Sequence, residues 1–126
     1  DLDADGMPDI WEILQFTNGT AATATGDADG DGAQNWQEWV AGTEPTNAAS
    51  AFSVEWPAGL TNGAAVVLAW PSASGRVYAL SWSTNLLSVF TVLSNRIAAT
   101  PPENVYTDAT HAAERAMFYR VSVTNE

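Results

Sequence analysis

From residue 51 onward, apolar and polar side chains alternate with the period of a half-buried strand. Phe52, Val54 and Trp56 alternate with Ser53 and Glu55, and Val66, Leu68 and Trp70 follow the Asn62-Gly63 pair, a hairpin-turn signal. Residues 71–75 reverse the chain into a run over 76–82 in which Tyr78, Leu80 and Trp82 share a face. Further short strands are expected over 89–93, near 97–100, near 105–107 and over 117–123. Several short strands separated by turns at this spacing predict an antiparallel β-sandwich. At about 75 residues it is small for one, and it should draw support from the preceding segment or from a partner.

Before residue 51 the period is helical and the helices are short. One run extends from Pro8 to about Phe16, with Ile10, Trp11, Ile13 and Leu14 as its apolar positions. The other extends from Ala33 to about Ala41, with Trp36, Trp39 and Val40, and Gly42 supplies a C-cap. An Ala/Thr-rich connector, 17–26, lies between them. Neither helix can bury its apolar face alone, so Trp11, Trp36 and Trp39 are expected to pack on one another or on the following domain. The sequence thus divides into a loop-helix segment, 1–50, and a sandwich domain, 51–126.

Each helix is preceded by an acidic stretch, and the two stretches are written in one register. Over 1–12, oxygen-bearing side chains stand at Asp1, Asp3, Asp5, Asp9 and Glu12, with Gly6 at the sixth position and the Met7 carbonyl at the seventh. Over 27–38 the same positions hold Asp27, Asp29, Asp31, Asn35 and Glu38, with Gly32 and the Ala33 carbonyl. Ca²⁺ takes six to eight oxygens at roughly 2.3–2.6 Å, and a twelfth-position Glu can close the shell with both of its oxygens. The sixth-position glycine permits the sharp turn that folds three closely spaced carboxylates around one ion. A solvated acidic turn is the plain alternative, but two in-register copies of a six-position pattern argue against it. Two calcium ions are therefore expected. Each unit is an EF-hand-like loop followed by one helix, without the entry helix of a full EF-hand.

Charge follows the same division. Residues 1–44 carry ten of the fifteen acidic residues and no basic one, so nearly all of the net charge of −11 lies in the N-terminal third. Without a cation that many carboxylates would repel one another, and the segment should loosen when calcium is removed. Nucleic acid is an implausible partner for a chain with no lysine, four arginines and no basic stripe. No apolar run is long enough to span a bilayer as a helix. The sequence shows no signal peptide, which a mature exported protein has lost, and loops of this kind fill best where calcium is millimolar, so export is expected.

Two resemblances are carried by quotable residues. Asp1-Leu-Asp-Ala-Asp-Gly-Met-Pro-Asp-Ile-Trp-Glu12 and Asp27-Ala-Asp-Gly-Asp-Gly32 resemble the calcium-binding thrombospondin type 3 repeats of secreted bacterial proteins, and more distantly dockerin loops. Gly42-Thr-Glu-Pro45 is similar to the Gly-Thr-Asp-Pro that often closes such a unit, with Glu44 in place of Asp. This resemblance covers residues 1–47 and implies calcium-stabilised structure outside the cell. Val67-Leu-Ala-Trp70, Tyr78-Ala-Leu80 and Phe118-Tyr-Arg-Val-Ser-Val123 resemble the B, C and F strands of fibronectin type III or immunoglobulin-like modules. In that comparison the G strand is unaccounted for, leaving either a different strand count or an open sheet edge on which another chain can pair.

Catalytic chemistry finds little to stand on. There is no Cys and no Lys, and the single His111 lies in an expected loop with Glu114 and Arg115. The carboxylates outside the acidic loops, Glu55, Glu103, Asp108, Glu114 and Glu126, are scattered, whereas glycosidase chemistry needs two acids facing one sugar. The expected function is a non-catalytic, calcium-stabilised structural or assembly module of the cell exterior, self-associating into a filament or joined to a neighbouring surface protein. The alternative is a carbohydrate-binding or adhesion module appended to a secreted enzyme, with Trp56, Trp70, Tyr78, Trp82 or Tyr106 stacking on a glycan. Asn18-Gly19-Thr20 is a glycosylation sequon, and Thr17, Thr20, Thr23 and Thr25 offer further hydroxyls.

Overall fold

The computed structural model describes residues 1–20, 22–55, 65–110 and 117–125. The chain forms two compact units, Asp1–Phe52 and Ser53–Glu126. It is mainly β, a small antiparallel sandwich preceded by two short helices. No helix among the described residues is long and apolar enough to cross a membrane.

In the first unit, helix α1 (Asp9–Phe16) starts from Pro8, whose carbonyl accepts the Trp11 and Glu12 N–H groups. It stops at Thr17, which turns left-handed (φ 68°) and donates its N–H to the Ile13 carbonyl. Helix α2 (Asn35–Ala41) is opened by a reciprocal Gln34–Gln37 capping box and closed by left-handed Gly42. Trp11 and Trp36 make contacts local in sequence rather than the expected packing on one another. Trp11 packs edge-on against Phe16 with centroids 6.0 Å apart, while Trp36 is exposed and donates its indole N–H to Gln34. Ile10, Ile13 and Leu14 also face solvent, and the residue that α1 buries is Glu12.

The described residues of the second unit form five strands, β1 (Val66–Pro71), β2 (Arg76–Ser83), β3 (Thr91–Ala98), β4 (Glu103–Asp108) and β5 (Phe118–Asn125). β1 pairs with β4 in one sheet, and the order β3-β2-β5 forms the other. Both sheets are antiparallel. The two stretches expected at 89–93 and 97–100 are one strand, β3, carried through its middle by an irregular register against β2 between Tyr78 and Ser81. Arg96 sits in that irregular part with φ 54°. Of the alternating segment 52–56, the described part contributes a single bridge, Glu55 to Ala69, rather than a strand. Trp56, the Asn62-Gly63 turn, His111, Glu114, Arg115 and Glu126 lie outside the described residues.

The core of the second unit lies on β1 and β2, where burial departs from strict alternation: Ala69 is buried between Leu68 and Trp70, and Ser81 beside Leu80. Leu68 and Trp70 of β1 and Tyr78 and Leu80 of β2 are all shielded from solvent, and the Trp70 and Tyr78 rings lie 5.9 Å apart. Trp82, expected on the same face, is half-buried. Polar ties supplement this core. The Tyr119 hydroxyl on β5 donates to the buried Asp108 carboxylate at the end of β4, 2.9 Å away, linking the two sheets. Burial, and then the bond to Asp108, push the Tyr119 phenol well above its ordinary pKa. At the other end of β4, Asn104 donates to the Ala98 carbonyl and accepts the Thr100 N–H, which also reaches the Ser72 hydroxyl.

Candidate metal centres

The two acidic loops fold alike. Asp1 accepts the N–H groups of Asp5 and Gly6, and Asp27 accepts those of Gly30 and Gly32. Asp5 accepts the Met7 N–H, and Asp31 accepts the Ala33 N–H at the matching position. These bonds curl each loop so that the carboxylates of Asp1, Asp3 and Asp5 approach within 4.8 Å of one another, as do those of Asp27, Asp29 and Asp31. The turn runs through Gly6 (φ 97°) and Gly32 (φ 99°), a conformation that a side chain would strain.

Behind each triad stands its twelfth-position glutamate. Glu12 is 0% exposed and neither of its carboxylate oxygens meets a hydrogen-bond partner. Glu38 is 1% exposed; the Thr43 hydroxyl donates to its Oε1 at 3.2 Å, and its Oε2 has no partner. The buried Oδ2 atoms of Asp5 and Asp29 are also without one. Leaving a buried carboxylate unpaired costs several kcal/mol, so these five carboxylate oxygens, joined by one buried amide oxygen, call for a cation or for protons. The acidities report the same tension. Burial, and then the neighbouring charges of Asp3, Asp5 and Asp9, raise Glu12 above its ordinary pKa, opposed by the nearby Ala22 N–H, which forms no full hydrogen bond with it. Burial raises Glu38 to about 7, with Asp29, Asp31 and Asp27 adding to the effect and the Thr43 hydroxyl opposing it.

The ninth positions differ. Asn35, 2% exposed, donates its amide to the Thr23 carbonyl and leaves Oδ1 buried and unpartnered, which is the sixth of those oxygens. Asp9 instead spends both oxygens on the start of the chain, accepting from the Asp1 amino group at 2.9 Å and from the Leu2 N–H. The hydrogen bond from that amino group, and then the Leu2 N–H, hold Asp9 below its ordinary pKa. Seventh-position Met7 is fully buried and Ala33 is half-buried. All of these candidate donors are oxygens, the set that suits a hard cation such as Ca²⁺.

Two contributions were not legible in the loop pattern. Thr43 supports Glu38 from the turn after α2, where its N–H and that of Gly42 both close on the Glu38 carbonyl. The connector supplies the Thr23 carbonyl that orients Asn35. Glu44, the substituted position of the closing motif, turns away to accept the Asn47 side-chain amide. Among the expected sugar platforms, Trp70 and Tyr78 are 1% exposed each and offer no ring face to a ligand. No protein-family model, no curated protein and no solved structure matches the chain.

Proposed function

We propose that this chain is a non-catalytic, calcium-stabilised structural module of the cell exterior, with each acidic loop holding one Ca²⁺. The observation that carries the reading is the repeated pairing of a buried, unsatisfied glutamate with a triad of converging aspartates, Glu12 with Asp1, Asp3 and Asp5, and Glu38 with Asp27, Asp29 and Asp31. Asp1, Asp3 and Asp27 remain exposed, as in any surface acidic turn; Glu12 and Glu38 are the carboxylates withdrawn from water. In the second loop the unpartnered Oδ1 of Asn35 adds a further oxygen.

Assembly or surface attachment is the role this stabilisation would serve. It is supported by β5, which among the described residues pairs with β2 on one edge only. The pairing of β1 with β4 and of β2 with β5 agrees with the B-to-E and C-to-F neighbours of an immunoglobulin-like sandwich, in which a further strand would cover that edge. Isothermal titration with CaCl₂ after EGTA dialysis should give two sites, one of them lost in Asp29→Asn. An absence of calcium heat, with unchanged amide spectra, would sink the metal reading. Electron microscopy with and without calcium tests assembly separately, and dispersed single particles in both conditions would count against it.

A further inference from the structure

We propose that the second unit carries a binding site for an acidic sugar, centred on Arg96 and independent of the calcium loops. Two hollows adjoin on the β3-β2-β5 sheet. The larger, about 340 Å³, is bounded by Ser74, Gly75, Arg76, Arg96, Ala98 and Pro101. The smaller, about 140 Å³, runs over Val77 and Ala79 to Arg96, Ser122 and Thr124. Arg96 and Val77 belong to both, so the arginine head stands where the two hollows meet.

Three independent features point to a ligand there. The first is charge: half of the four basic residues of the chain line this one furrow, and no carboxylate lines it among the described residues. Arg76 donates to the Ser74 carbonyl, whereas the Arg96 guanidinium makes no hydrogen bond or ion pair among the described residues. The second is backbone conformation. Arg96 takes φ 54° in the irregular stretch of β3, a left-handed state that glycine or asparagine would occupy more easily than a long side chain. Irregularities of this kind re-aim a side chain at the expense of regular pairing. The third is the chemistry of the lining, which joins small apolar residues with the hydroxyls of Ser74 and Ser122 and with Thr124, whose hydroxyl donates to the Val77 carbonyl at 3.4 Å.

A guanidinium fork recognises a planar carboxylate with two parallel hydrogen bonds. The hydroxyls match a ligand that carries hydroxyls of its own, and the volume accommodates one or two sugar rings. A uronic acid unit of a polysaccharide joins these properties in one molecule. A long polyanion is disfavoured, since the protein as a whole carries −11, but residues 53–126 hold five acids against four arginines and do not repel a single carboxylate.

The test is amide chemical-shift mapping of the whole chain with digalacturonate, with the neutral digalactoside and a tetraglutamate peptide as comparisons. The expected result is saturable movement at Val77, Arg96 and Ser122 with digalacturonate, at a dissociation constant of about 1 mM or tighter. Arg96→Gly should weaken this at least about tenfold while leaving the melting temperature equal or higher, because glycine relieves the left-handed backbone. Arg96→Lys keeps the charge without the fork and should weaken binding by a smaller factor, which preserves the test if the glycine variant folds poorly. Equal binding of the neutral sugar, preference for the peptide, no movement at these residues, or wild-type affinity in the Arg96→Gly variant would each overturn the assignment.

Discussion

The two units of this chain have opposite interiors. In Ser53–Glu126 the largest shielded side chains are Leu68, Trp70, Tyr78 and Leu80, and the buried polar groups Asn104 and Asp108 are hydrogen-bonded. In Asp1–Phe52 Met7 is shielded together with Glu12, Asn35 and Glu38, whose oxygens are in part unpartnered, while Leu2, Ile10 and Leu14 face water. The hydrophobic effect can hold the first arrangement together without assistance. It does not by itself account for the second, where buried carboxylate oxygens lack partners. On the proposed reading, one unit stands on burial and the other also on ligation.

Chelation should separate them most clearly. With both loops filled at 100 times their dissociation constants, calcium would contribute roughly 2.7 kcal/mol per site. Excess EGTA is expected to abolish hydrogen-exchange protection across α1 and α2 while leaving β1 to β5 protected. Parallel loss in both units would show that they are not energetically distinct. The converse perturbation is Trp70→Ala, which opens a cavity between β1 and β2 and should cost about 3–5 kcal/mol. Thermal denaturation followed by near-ultraviolet circular dichroism would report the loss, and calcium titration of the same variant should be unchanged.

Glu38 sharpens the comparison, because its effect on stability changes sign with metal. Without calcium its carboxyl titrates near 7, above the ordinary value of 4.5, so the folded unit holds a proton that the unfolded chain releases. Stability of the cation-free unit should be full below about pH 4.5 and fall as pH rises through 7. Calcium must displace that proton, so affinity at the second loop should fall roughly tenfold per pH unit below 7. Glu38→Gln removes both dependences. It is expected to stabilise the metal-free unit and to weaken calcium binding by more than the roughly 10–100-fold typical of a supporting residue. Calorimetric titrations at pH 5.5, 6.5 and 7.5 decide this; a flat profile in the wild type would remove Glu38 from the site.

The smallest effect concerns the difference between the loops themselves. At the fourth position Gly30 adopts φ 78°, and its counterpart Ala4 is held at φ 59°. Ala4→Gly should relax the first loop and stabilise it by up to about 1 kcal/mol. A rise in the calcium-loaded melting temperature without change at the second loop would be the signature.

The loops were legible in the sequence because their information is local. Spacing alone brings Asp27, Asp29 and Asp31 together, and a sixth-position glycine marks the turn whatever surrounds it. The strands around Leu68, Tyr78 and Leu80 were legible for a related reason, since alternation reports which face is dry. Continuity of β3 was not, because its irregular register and the turned-out Arg96 interrupt the alternation that would have announced one strand. The partners Thr43 and Thr23 were hidden too; hydroxyls and carbonyls in connectors carry no periodicity, and their value arises only once Glu38 and Asn35 are buried beside them. Solvent exposure of Ile10 and Leu14 was equally unreadable, since a helical period says which residues share a face and not which face turns inward.

The bond between Tyr119 and Asp108 has a mechanical meaning. Together with the Asn104 bond to the Ala98 carbonyl of β3 at the opposite end of β4, it ties the two sheets to each other near both extremities of one strand. Sliding one sheet over the other would require breaking hydrogen bonds at two separated points. If the module serves assembly as proposed, these polar pins, as well as the apolar layer between them, would resist tension drawn through it.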